Sequence, residues 1–170
     1  SLPPAQVAWD DWEGAIDHLR GLRIGLLIDA GCGLAVDPEV RDAVLHAATL
    51  LDDAGAIVEP MEPFFTRQML DGMDHAWRMR SHLDLAALPA HRRDTVLPYI
   101  HTWADSVKDM SGTAAFVAMS QFHATRVATV RACNPYDFVI SPTAPNVAFA
   151  AELPSPTNDP LRPLEHIAFT

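Results

Sequence analysis

Residues 19–60 read LRGLRIGLLIDAGCGLAVDPEVRDAVLHAATLLDDAGAIVEP, and no other stretch constrains the fold as strongly. The run Leu22 to Ile28 is almost wholly apolar, which is how a strand buried on both faces of a parallel sheet reads. Asp37 stands where an N-cap belongs, and Pro38 occupies the first helical turn. Val40, Val44, Ala47, Leu51 and Ala54 then recur at helical spacing and give that helix one apolar face. Gly55 follows as a C-cap glycine would, and Ala56 to Val58 can return to the sheet beside the first strand. The chain is therefore α/β, with a β-α-β unit at 19–60.

The remaining segments follow from the same signals. Residues 1–18 form a leading segment, with a short helix expected around Trp9 to Leu19. Residues 63–133 are a helical region. Its first helix carries Phe64, Met69, Met73, Trp77 and Leu83 from Pro63 to about Leu88, and Pro89 breaks it. A second helix is expected from about Asp94 to Lys108, with Pro98 in its first turns. Ser111 can cap a third, long helix from Gly112 to about Cys133, with Phe116, Met119, His123, Val127 and Val130 on one face. After a turn at Asn134-Pro135, Phe138 to Ile140 reads as a short buried strand that ends at Ser141-Pro142. The rest of 136–170 is a Pro-rich irregular tail that needs a surface to lie on. The sum over 1–170 is a single partial domain: a mixed or parallel sheet of about three strands flanked by helices. Three strands apolar on both faces leave a parallel sheet without cover or protected edges. The expectation is a piece of a larger sheet, or a chain that pairs with another; the start at Ser1 rather than Met reads the same way.

Bulk properties exclude several function classes. A formal net charge of -10 repels nucleic acid and anionic membranes. No apolar run approaches the roughly 20 residues that span a bilayer, and SLPPAQVAWDDW lacks the basic start and apolar core of a signal peptide. Cys32 and Cys133 lie far apart and read as free thiols, in keeping with a cytoplasmic protein.

Two stretches together suggest a family. LRGLRIGLLIDAG followed by VDPEVRDAVLHAATLLDDAGAIVE resembles the segment after the catalytic core of the amidase signature family. YDFVISPTAP, Tyr136 to Pro145, resembles that family's aspartate, short apolar strand and Pro-Thr turn. The helix carrying Phe116 and Arg126 is similar to the helix that precedes that strand. The resemblance implies acyl transfer on a small-molecule amide. In the family a neutral lysine works through a bridging serine to deprotonate a nucleophilic serine, and backbone amides stabilise the oxyanion. This sequence departs from that pattern: it has no Gly-Ser-Ser run, and its lone lysine is Lys108, between Val107 and Asp109. No catalytic residue carries over. The resemblance implies the C-terminal portion of an amidase, inactive alone, whose partner is the rest of the amidase chain or another copy of itself.

Other candidate chemistry reads as structural. Lys108, beside Asp109 and near Asp105, reads as a solvated helix charge. Cys32 precedes a helix N-terminus, which lowers a thiol pKa, yet Asp29, Asp37 and Glu39 surround it, and Gly31 and Gly33 suit a turn. His75 and His82 share a helical face near Asp71 and Asp74 without a metal-binding motif. Asp52, Asp53, Asp71, Asp74 and Asp84 read as a solvated face, and Met69, Met73 and Trp77 as core or covered surface. No metal and no cofactor is expected. Ser141, Thr143 and Asn146 follow the last strand, at the sheet edge where substrates sit. The resemblance implies that this loop is substrate-proximal; otherwise Pro142 and Thr143 only shape a turn. A different class also fits the residues: a free-standing α/β ligand-binding or protein-interaction module. The incomplete sheet predicts exposed apolar surface and self-association. Sedimentation across a concentration series should show species larger than the monomer, with binding of a hydrophobic dye; a strict monomer that ignores the dye would refute this.

Overall fold

A computed structural model describes residues 19–162 and 165–169. The helix expected around Trp9 lies outside the described residues. Strand β1 (Arg23–Leu26) is followed by α1 (Pro38–Asp53), β2 (Ile57–Pro60), α2 (Arg67–Ala87), α3 (Ala90–Arg93), α4 (Pro98–Asp105), α5 (Gly112–Cys133) and β3 (Phe138–Ile140). A 3₁₀ turn, Glu165–Ile167, comes last. The three strands form one parallel sheet in the order β2-β1-β3. Ile24 stands opposite Val58 on one side and Phe138 on the other. The ladder continues past the strand ends: Leu27 N–H donates to the Ile140 carbonyl at 2.9 Å, Met61 N–H to Leu26 at 2.9 Å and Phe65 N–H to Ala30 at 2.8 Å. Both parallel pairings are reached by crossovers, the first carried by α1 and the second by α2 to α5.

The punctuation residues act largely as the sequence implies. Asp37 is the N-cap of α1 with Pro38 after it, although its carboxylate makes no capping hydrogen bond. Its backbone serves instead: the Asp37 N–H donates to the Pro145 carbonyl at 2.7 Å, tying α1 to the loop after β3. Gly55, at φ +96°, takes the left-handed conformation that ends α1. The Thr66 hydroxyl accepts from Met69 N–H at 3.2 Å and starts α2; Ser111 does the same for α5 through Ala114 N–H at 3.2 Å.

Three differences have physical causes. First, Pro98 opens α4 as its first residue, so Asp94 to Leu97 stay outside that helix and α4 ends at Asp105, short of Lys108. Second, α5 packs on α2 through small residues: Ala118 is buried, and a Cβ on Gly72 would fall on the Gln121 side chain. The large apolar stripe is left outward, with Phe116 75%, Met119 54% and Val130 59% exposed. Third, burial on both faces holds for the centre of β1, where Ile24 and Gly25 are buried, while Phe138 of β3 and Ile57 of β2 are exposed. These flanking strands lack outer neighbours among the described residues.

Asp74 is not on a solvated face. It is 2% exposed, and Arg78, one turn along α2, is 3% exposed. Arg78 Nε donates to Asp74 at 2.6 Å. Its Nη1 donates to the Ser106 hydroxyl at 2.9 Å and to the Pro160 carbonyl at 2.8 Å, and its Nη2 to the Arg162 carbonyl at 2.7 Å. The guanidinium also lies 5.4 Å from the Trp103 ring centroid. One buried cation thus joins α2, α4 and the tail, and Tyr99, whose hydroxyl lies 3.1 Å from that of Ser155, adds a second tie. Removing one partner of a buried pair strands the other charge, at a cost of about 3–5 kcal/mol. Arg78→Met is expected to lose stability of at least that order in urea denaturation, and Arg78→Met with Asp74→Leu to regain only the part due to the stranded carboxylate, because the Pro160 and Arg162 carbonyls lose the Arg78 donor in both variants.

Candidate functional site

In an open α/β sheet, ligands bind beyond the carboxyl ends of the strands, where neighbouring connections diverge to opposite faces. Here that divergence lies between β1, whose chain runs on to α1, and β3, whose chain runs on into the tail held by Arg78. The loop after β1 is built by Asp29, whose Oδ1 accepts from Gly31 N–H at 2.8 Å. Gly31 has φ +99°, and a Cβ there would sit 2.8 Å from the Phe65 carbonyl oxygen. Only glycine lets the loops after β1 and β2 approach so closely.

Cys32 in this loop is buried against Ala30, Phe65, Leu70 and Ala168. Burial pushes its thiol pKa up from the ordinary value; Asp29 adds to this, while backbone N–H groups and Arg67 oppose it. Desolvation, rather than the ring of acids, is the leading cause, and the thiol is held protonated at neutral pH. Cys133 is also unbridged.

The loop after β3 holds the three residues that the sequence singles out. Pro142 and Pro145 are buried and fix its path. The Ser141 hydroxyl donates to the Pro142 carbonyl at 3.2 Å, and Asn146 Nδ2 donates to the Val147 carbonyl at 2.8 Å. Thr143 is exposed. All three lie on one loop at the carboxyl edge, where two of the side chains brace their own backbone and the third faces outward.

The other candidates are scattered. Lys108 is exposed in the turn after α4. His82 pairs with Asp105 at 2.8 Å, Asp71 with Arg67 at 2.8 Å, and His75 is exposed on α2. Among the described residues, no group of three or more His, Cys, Asp or Glu side chains converges as a metal ion would require. None of the helices described is long and apolar enough to cross a membrane.

Two features escape reading by segment. One is a polar hollow of about 500 Å³ beside Asp74, Arg78, Ser106 and Asp109. Its only signal is the i, i+4 spacing of Asp74 and Arg78. The other is an apolar cavity of about 280 Å³ where the loops after β1 and β2 meet α2, α5 and the last described residues. It draws on five separate stretches, so no local pattern marks it. His166, next to its wall, stacks edge-on against Phe149 at 5.6 Å. The His166 Nδ1 is buried without a hydrogen-bond partner among the described residues, and burial lowers its pKa.

The fold defines an α/β protein built on a parallel sheet flanked by helices. The family model described as Amidase matches residues 2–170, and the chain belongs to that family. A curated relative, a glutamyl-tRNA(Gln) amidotransferase subunit from Lachnospira eligens, is 26% identical over 177 residues, covering 86% of this chain and 35% of the relative. Among solved structures, a bacterial aryl acylamidase of the amidase signature family superposes with a TM-score of 0.68 at 22% identity, over 98% of this chain and 37% of that one. The chain thus spans little more than a third of the length of either protein.

A depressed histidine pKa means that the fold favours the neutral ring. The stabilising contribution of His166 is then complete above the ordinary value of 6.5 and is lost as pH falls through the lower folded value. Urea midpoints should fall between about pH 7.5 and 5.5, and His166→Gln should flatten part of that slope.

Proposed function

We propose that this chain acts as the C-terminal portion of an amidase-like serine hydrolase. It supplies part of the sheet and the outer wall of the substrate pocket for amide-bond hydrolysis. The two serines and the lysine that do the chemistry come from polypeptide beyond this sequence, so the chain alone turns over no amide. Ser141, Thr143 and Asn146 are the substrate-proximal residues, with Thr143 the one free to reach a ligand. The reading also keeps the protein in the cytoplasm and makes the rest of the amidase its partner.

The observation that carries this reading is the family match along residues 2–170 in a chain whose lone lysine, Lys108, is exposed in a helix-following turn. A general base needs a desolvated, neutral lysine next to a serine, and this one is solvated beside Asp109. The length comparison and the outward apolar residues of β3 and α5 agree with a chain that completes a larger sheet.

The test compares two preparations on simple amides. The purified chain alone should release no ammonia or amine. Joined in frame to the polypeptide encoded upstream, it should gain hydrolysis, and Thr143→Ala should raise KM more than it lowers kcat. Turnover by the chain alone would overturn the reading.

A further inference from the structure

Residues 146–162 are fixed by burial at their ends and by polar ties in between. Pro145, just before the segment, is buried, and its carbonyl accepts from Asp37 N–H at 2.7 Å. Ala168, beyond it, packs with Ala30, Cys32, Phe65 and Leu70. The rings of Phe149 and His166 meet edge-on at 5.6 Å and draw the two ends together. Between the ends, Leu153 and Pro154 are no more than half-buried, and the one buried residue is polar: Ser155, 3% exposed. The ties to the helices are hydrogen bonds. Arg78 donates to the Pro160 and Arg162 carbonyls at 2.8 and 2.7 Å. The Tyr99 hydroxyl lies 3.1 Å from that of Ser155 and donates to the Asp159 carbonyl at 3.4 Å. The segment also holds its own shape. Leu153 N–H donates to the Ala150 carbonyl at 3.0 Å, Asn158 N–H to Ser155 and Arg162 N–H to Asp159 at 3.2 Å, and Leu161 N–H donates to Asp159 Oδ1 at 2.9 Å. Pro154, Pro156 and Pro160 stiffen it further.

Apolar burial is the main force that keeps a segment in place. Hydrogen bonds are exchanged for bonds to water when a segment leaves, so their net hold is modest. A stretch with few buried apolar contacts opens well before the whole molecule does. We propose that residues 146–162 form a strap that lifts off α2 and α4 as one unit while the sheet stays folded, with Arg78 as its latch. The fixed ends keep the lifted strap close to its seat, which limits the entropy gained on opening. Leu161 is one wall of the polar hollow beside Asp74, Arg78 and Ser106, so lifting opens that hollow and bares the buried ion pair to water. The inference rests on contacts within this chain and does not depend on the amidase reading.

The experiment places a thiol at the buried point of the strap with Ser155→Cys in the full chain. Its alkylation by iodoacetamide is followed at that site by mass spectrometry. Dividing the rate by that of the unfolded chain gives an opening constant, to be compared with the global unfolding constant from urea denaturation of the same variant. The opening constant should exceed the global one by about 100-fold or more and stay nearly flat in low urea, since little surface is exposed. Adding Ile24→Val, in the centre of β1, should raise the global constant and leave the opening constant unchanged. Adding Arg78→Lys, which keeps a cation beside Asp74 and loses the planar fork, should raise the opening constant about tenfold. In the unsubstituted chain, the Asn158 and Arg162 amides should exchange hydrogen together and about 100-fold or more faster than the Leu27 amide in the sheet. An opening constant equal to the global one with the same urea slope, a response to Ile24→Val, or equal protection of Asn158 and Leu27 would overturn the proposal. These readings decide it even if Arg78→Lys fails to fold.

Discussion

Strand β1 is the constraint on which the remaining structure depends. It hydrogen-bonds along both edges, to β2 and to β3, and both pairings are parallel. Parallel neighbours cannot be joined by tight turns, so each demands a crossover carried over a face of the sheet. One crossover is α1; the other is the whole of α2 to α5. Because β2 and β3 lie on opposite sides of β1, the chain must reverse direction across it, and that reversal creates the divergence at the carboxyl edge. Arg23 reinforces the arrangement where β1 begins. Its guanidinium reaches Glu59 of β2 at 2.7 Å, and its backbone N–H donates to the Asp137 carboxylate at 2.8 Å, just before β3. These groups are exposed, so they set register more than they add stability.

The tail has little regular structure, and a polar anchor on α2 decides where it goes. Arg78 satisfies Asp74 and then spends its remaining donors on α4 and on main-chain carbonyls of the tail. A chain rich in proline has few N–H groups with which to hold itself down, so a donor-rich side chain from elsewhere suits it. The tail whose last described residues line the apolar cavity is thereby tied to α2.

Much of the fold was legible because it is punctuated locally. Ser111 and Asn134 bound α5 where the sequence places them, and Phe138 to Ile140 form the expected strand. The amidase resemblance, read from the β-α-β unit and YDFVISPTAP, is the family found by comparison. What was not legible depends on contacts between distant segments. Asp74 looks like its neighbours Asp71 and Asp84 along the chain, and only the approach of α4 and the tail buries it. In α5 the large residues form the more visible stripe, yet Ala118 and Gln121 face the core, because Gly72 on α2 lets the helices meet at close range. The carboxyl-edge loop was predictable as a location, since it follows β3 directly. The cavity was not, since residues as far apart as Leu27, Trp77 and Phe169 line it.

The outward stripe of α5 changes how tolerance to substitution should be read along this chain. Solvent accessibility ordinarily marks positions that accept any residue. Phe116, Met119 and Val130 break that correspondence if the helix is an interior element of a longer molecule: polar replacements there would make the isolated chain more soluble and the assembled one worse packed. Conversely, Ala118 is constrained in both settings, because its neighbour is a glycine backbone within the same chain. Mutational profiles of the short and long forms would then disagree on one side of a single helix and agree on the other.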